Sequence, residues 1–161
     1  MIRRAAILLL AAAAASCGYR LGPAAPVVPG AATVRIPVFE NRTYRRGVET
    51  DLARQIAAIL ASRSRLRPVD EGGDLVVEGV LVEIKEDLLS SMEDQVIRES
   101  SIIVTAEVTV RDGRTGEAIV KVRKITERES FVPGIGESLR SARVEALRRL
   151  AEDVVDLLEA P

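Results

Sequence analysis

Residues 33–39 alternate, with β-branched side chains at Thr33, Val34, Ile36 and Val38. A period of two predicts a strand. Pro37 cannot donate to a ladder, so it marks an edge or the strand's end. Glu40-Asn41-Arg42-Thr43 has turn chemistry. Val48, Leu52, Ile56, Ile59 and Leu60 then recur at helical spacing over residues 47–63. Glu49 and Asp51 in its first turn suit the helix dipole, and Pro68 follows its end. Residues 75–85 form a long apolar strand in which Gly79 marks a bulge. Ile102, Val104, Ala106, Val108 and Val110 make one face of a third strand; Thr105, Glu107, Thr109 and Arg111 make the other. Asp112-Gly113-Arg114-Thr115-Gly116 is a turn. A fourth strand follows over 117–128, with Ala118, Val120 and Val122 inward. After a connector at 132–136, Leu139, Ala142, Ala146, Leu147, Leu150, Val154, Leu157 and Leu158 trace a long amphipathic helix. Arg148–Glu152 and Arg149–Asp153 are i,i+4 charge pairs on its polar side.

The order is therefore β-α-β-β-β-α. One apolar sheet face and two helices with one apolar stripe each predict an α+β two-layer sandwich. Both helices lie on one face of a four-stranded sheet. The other face stays polar, with Thr105, Glu107, Thr109, Lys121 and Arg123. A hairpin symmetric about Arg114 pairs Val108 with Val120 and Glu107 with Lys121, apolar against apolar and acid against base.

Ahead of this domain the pattern changes. Arg3 and Arg4 precede an apolar run over 5–15, and Ala14-Ala15-Ser16 leads into Cys17-Gly18. A basic start, a short apolar stretch and small residues make a secretory signal over 1–16. The run is shorter than the ~20 residues a membrane span needs. Cys17, the only cysteine, stands where the lipobox of bacterial lipoproteins places its acylated residue. Several acyl chains make a stable anchor where one does not. By the same resemblance, Gly18 in place of aspartate points to outer-membrane sorting. Residues 17–32, rich in glycine, proline and alanine, form a tether. Residues 33–161 form the single domain.

Composition narrows the chemistry. Removing 16 of 161 residues leaves 145, enough for one real core. Losing Arg3 and Arg4 takes the net charge from −1 to −3, which excludes a nucleic-acid binder by bulk charge. There is no histidine and no tryptophan, so no Ser-His or Cys-His nucleophile pair and no imidazole ligand for zinc. No cofactor and no enzymatic activity are expected. Glu86, Asp87, Glu93 and Asp94 flank an apolar loop but match no calcium-loop spacing. Asn41-Arg42-Thr43 fits a glycosylation pattern, though a turn explains it. The best basic feature is the row Arg111, Lys121 and Arg123, with Arg114 at the hairpin tip, since arginine takes phosphate or carboxylate bidentately.

Taken together, Cys17-Gly18-Tyr19-Arg20-Leu21, the stretch over 34–43 with Ile36-Pro37 and Phe39 to Asn41, Gly47-Val48-Glu49, the 112–116 hairpin and the terminal helix resemble the LptE family of lipopolysaccharide-assembly lipoproteins. The resemblance covers nearly all of the mature chain. It implies an outer-membrane lipoprotein with two helices on a four-stranded sheet. It also implies a plug that helps assemble the LptD β-barrel and binds lipopolysaccharide on its way to the cell surface. Arg111, Arg114, Lys121 and Arg123 are the candidate lipopolysaccharide contacts. A second resemblance is to periplasmic lipoproteins of the LpoB and CsgG kind, which regulate a peptidoglycan synthase or form a secretion assembly.

Overall fold

The computed structural model describes residues 25–91, 98–132 and 138–159. Its elements are β1 (Thr33–Arg35), β2 (Glu40–Asn41), α1 (Val48–Arg63), β3 (Arg67–Val69), β4 (Leu75–Ser91), β5 (Arg98–Asp112), β6 (Ala118–Phe131) and α2 (Leu139–Asp156). The α+β class holds, but the sheet is mixed and has six strands in place of four. Its order is β3-β1-β4-β5-β6, with β2 also on β4. β1 and β2 run parallel to β4, and β3 runs parallel to β1; β4, β5 and β6 are antiparallel.

Two local facts turn four strands into six. The first expected strand stops at Arg35 and resumes at Glu40, because Pro37 has no N–H for the ladder. The chain instead turns Phe39 into the core, 3% exposed. β3 escapes a periodicity reading because Arg67-Pro68-Val69 is three residues long and its proline reads as a helix stop. Proline is tolerated there because β3 is an edge strand. The Arg67 N–H donates to the Ala32 carbonyl at 2.9 Å.

Gly79 is not a bulge. It pairs in register with Val108, and the irregularities in β4 fall between Leu81 and Glu83 and between Leu88 and Ser90. Its role is to give way to an aromatic ring: a Cβ there would lie 2.2 Å from Phe39 Cε2.

The β5–β6 hairpin is not symmetric about Arg114. Asp112 Oδ1 accepts from the Arg114 N–H at 2.8 Å and from the Thr115 N–H at 3.0 Å, and Gly116 takes φ 73°. Val110 faces Val120, Val108 faces Arg123 and Glu107 faces Lys124, with register shifts on either side of Val110. β6 carries extra residues here, so the alternation breaks and residues 121–124 are all exposed. Val122 is 67% exposed, where the simple pattern put it inward. Acid still meets base, but the base is Lys124.

Both helices cover the same sheet face. Val48, Leu52, Ile56 and Leu60 of α1 form one cluster with Ala146, Leu147, Leu150, Ala151 and Val154 of α2. The same cluster takes in Val77, Leu81 and the Ile102-to-Val110 row. Gly47 caps α1 at φ 85°, and Ser138 and Ser141 close a capping box on α2. The connector residues 133–137 lie outside the described residues.

Arg148 reaches Glu152 at 2.6 Å as expected. Arg149 does not take Asp153; it crosses to Glu129 of β6 at 3.1 Å and to Glu145 at 3.3 Å. Glu127 and Glu129 pair with Val104 and Ile102, so they point under α2. Burial, followed by the hydrogen bond and charge of Asp153, raises the Glu127 pKa.

Two outcomes follow. Gly79→Ala destabilises the fold by about 1–3 kcal/mol through overpacking against Phe39, read as a lower denaturation midpoint at unchanged slope. For Glu127 the folded pKa is raised, so its contribution to stability is complete below the ordinary carboxylate range and is lost as pH rises through the elevated value. Glu127→Gln therefore melts above wild type at neutral pH, and the difference disappears below a pH of about 4.

Candidate functional site

The hairpin end of the sheet is built around Asp74. Its Oδ2 accepts from the Ala32 N–H at 2.9 Å, the Thr33 N–H at 3.1 Å and the Thr33 hydroxyl at 2.9 Å. The Ala32 N–H, the Thr33 hydroxyl and the Thr33 N–H, in that order, hold its carboxyl below the usual carboxylate range. The Gly113 N–H donates to the Asp74 carbonyl at 2.8 Å. A Cβ on Gly113 would lie 1.9 Å from the Gly73 carbonyl oxygen, so only glycine lets the hairpin tip seat here. The tip is bolted to the start of β4.

The four expected cations do not form one row. Arg111 donates through Nε to Glu78 at 2.8 Å and through Nη1 to the Gly116 carbonyl at 3.1 Å, so its charge is spent within the sheet. Arg114 stands at the tip, 77% exposed and 4.0 Å from Asp112. Lys121 and Arg123 are exposed on β6 and have no ion pair among the described residues. Arg123 lies opposite Val108, so the register turns it to the helix side, away from the outward face.

The strand at the sheet's end exposes Lys121, Arg123 and Lys124 in sequence, Arg123 on the side of Val108 and Lys124 on the side of Glu107. Lys124 was missed because a simple period of two gave the place beside Glu107 to Lys121. The break in the alternation at Arg123-Lys124, two polar residues in succession before Ile125, is the signal that could have found it. An exposed arginine or lysine run of this kind binds anionic groups.

The opposite end is organised by Asn41. Its Nδ2 donates to the Arg45 carbonyl at 2.7 Å and to Glu49 at 2.6 Å, and its Oδ1 accepts from the Thr43 N–H at 2.8 Å. The expected turn thus opens with a two-residue strand, and the side chain of Asn41 ties that turn to α1. Nearby, an open cavity of about 410 Å³ is lined by Tyr44, Val82, Ile84 and three cations. All three are neutralised: Arg42 by Glu40 at 2.8 Å, Arg45 by Glu86, and Lys85 by Asp87 at 2.8 Å. Those pairs also occupy Glu86 and Asp87, and no acidic cluster among the described residues could hold a metal. Met92, Glu93 and Asp94 lie outside the described residues, as does Cys17 with the whole of 1–24. Among the described residues, no helix is long and apolar enough to cross a membrane.

The family profile for LptE, described as lipopolysaccharide-assembly, matches residues 31–160. No curated protein matches in sequence. Among solved structures, the chain is similar to a hypothetical protein from Chlamydia trachomatis, at 15% identity and TM-score 0.58, covering 79% of this chain and 95% of that one. It is similar to an uncharacterized lipoprotein B from Nitrosomonas europaea at 13% identity and TM-score 0.55, covering 89% and 91%. It is also similar to the rare lipoprotein B from Shewanella oneidensis at 18% identity and TM-score 0.50, covering 76% and 92%. At these identities the likeness is one of fold.

The shifted register has a direct check. A double-mutant cycle on Glu107→Lys and Lys124→Glu gives a coupling of about 0.2–1 kcal/mol. The same cycle between positions 107 and 121 gives none.

Proposed function

Because the chain belongs to the LptE family of lipopolysaccharide-assembly proteins, we propose that it is an outer-membrane lipoprotein anchored through Cys17. In this reading it plugs and helps assemble an LptD-type β-barrel and binds lipopolysaccharide in transit. The role is one of binding and scaffolding. The observation that carries this reading is the family match across 31–160, which takes in both helices and every strand.

The candidate contacts for lipopolysaccharide are Arg111, Arg114, Lys121 and Arg123. A mature chain of net charge −3 meets an anionic lipid through a local basic patch. Lys121 and Arg123 supply cations with no ion pair among the described residues, and Lys124 follows them in the strand, opposite Glu107. Arg114 adds an exposed charge at the tip. Arg111 contributes by holding the hairpin through Glu78 and Gly116.

The test is a detergent pull-down of the tagged, lipidated protein. A roughly one-to-one complex with an LptD-type barrel supports the reading. Recovery of a peptidoglycan synthase or of a ring of the protein itself would sink it in favour of the LpoB and CsgG kind. In the same cells, Cys17→Ala leaves the domain folded but removes it from the membrane fraction. Reversing Lys121 and Arg123 to glutamate weakens lipopolysaccharide binding by about an order of magnitude and leaves the melt unchanged.

A further inference from the structure

Strand β4 outruns the strands on one of its sides. β2 pairs with it only at Val80 and Leu81, and the last ladder bond there runs from the Arg42 N–H to the Leu81 carbonyl at 3.0 Å. The Asn41 side chain then turns the chain away toward Glu49 of α1. β4 itself continues to Ser91, paired with β5. Among the described residues, nothing pairs with its other edge beyond Leu81.

Successive residues of a strand point their backbone groups to alternate sides. The Leu81 carbonyl is taken by Arg42, so Leu81 and the Ala106 opposite it turn their backbone groups away from each other. Thr105 therefore turns toward β4, where it pairs with Glu83 across the register shift. From Glu83 to Leu88 the ladder is regular. Ile84 and Glu86 accordingly direct their N–H and C=O groups to the open edge.

The sheet's outermost strands are guarded. β3 is three residues long and contains Pro68; β6 carries register shifts and the exposed cations Lys121 and Lys124. Short strands, proline, bulges and lysines keep foreign strands from pairing with an edge. Between Glu83 and Asp87 the one lysine of β4, Lys85, is held by Asp87 at 2.8 Å, and Glu86 is held by Arg45. Beside this edge lies the cavity of about 410 Å³, walled in part by Val82, Ile84 and the fully exposed Tyr44. Its three cations each have an acid, so it does not call for an anion. A row of free backbone groups beside an apolar recess matches an extended peptide. The peptide's main chain takes the ladder bonds, and one apolar side chain fills the recess.

We propose that β4 accepts an added strand at Ile84 and Glu86, and that the occupant is an extended segment of the barrel partner with an apolar side chain beside Tyr44. The inference rests on the barrel reading above. A plug enclosed by a barrel has its sheet edges next to the partner's chain, and the edge left open in the free domain is closed in the complex.

The experiment compares the full, lipidated protein alone with its one-to-one complex with an LptD-type barrel, both in detergent. Amide hydrogen exchange at Ile84 and Glu86 is expected to slow by about tenfold or more in the complex. Glu86→Pro deletes an edge N–H and leaves the β5 ladder whole; it weakens the complex by about tenfold. Glu86→Ala keeps that N–H and loses only the Arg45 pair, and it binds as wild type does. Thermal melts of the free variants show that both are folded, and the exchange measurement needs no variant. Equally fast exchange at both positions in the two states overturns the proposal, as does equal weakening by alanine and proline. Slowing in the free protein that grows with its concentration assigns the edge to a second copy and overturns the barrel as occupant. If no barrel complex forms, the function proposed above fails, and this inference fails with it.

Discussion

Everything in this domain depends on keeping one face of β5 dry. Ile102, Val104, Ala106, Val108 and Val110 are each fully buried. Apolar side chains in that row drive burial at roughly 25 cal/mol per Å² of surface removed from water. Their own strand cannot cover them. β4 and β6 flank β5 along its length, and α1 and α2 must close over the face. The rest of the sheet is accommodation. β1 and β2 share one edge of β4 on either side of the break at Pro37, and β3 finishes that side.

The departures from regularity lie where that cover runs out. β6 is the end of the sheet, and α2 lies over its later part, where Glu129 meets Arg149. Over this stretch β6 keeps its alternation. Near the hairpin it gains extra residues, and four successive side chains become exposed. A bulge costs little on an edge strand with no outer neighbour to keep in register. It also converts a ladder position into a run of cations on the margin of the sheet. The same end receives the incoming chain, where the Asp74 carboxylate holds Ala32 and Thr33 and the Asp74 carbonyl takes the Gly113 N–H of the hairpin tip.

Ion pairs sort the remaining surface. Where an arginine has a fixed carboxylate, as Arg148 has Glu145 and Glu152, the pair stabilises the helix locally. Arg148, through its hydrogen bond first, depresses Glu145 to about 2. Such exposed pairs are each worth little. Their larger effect is to remove charge from the inventory available to a ligand, which is why Arg111 reads differently in three dimensions than in one.

Sequence periodicity by itself determined both helices, the inward row of β5, the existence of the 112–116 turn and the class of the fold. These follow from local rules, because a helical or alternating pattern declares which side must be buried whatever covers it. The chemistry excluded by the lack of histidine is likewise written in composition. Only the tertiary structure decided the strand count, the register of β6 and the partners of Arg149. Strand β3 is too short to carry a period and exists because Ala32 offers it a carbonyl. Gly79 is a glycine because Phe39, forty residues earlier, needs its space. Lys124 rather than Lys121 meets Glu107 because extra residues in β6 shift the ladder. Each of these is a contact between distant segments, and a period read along one segment contains no information about the other.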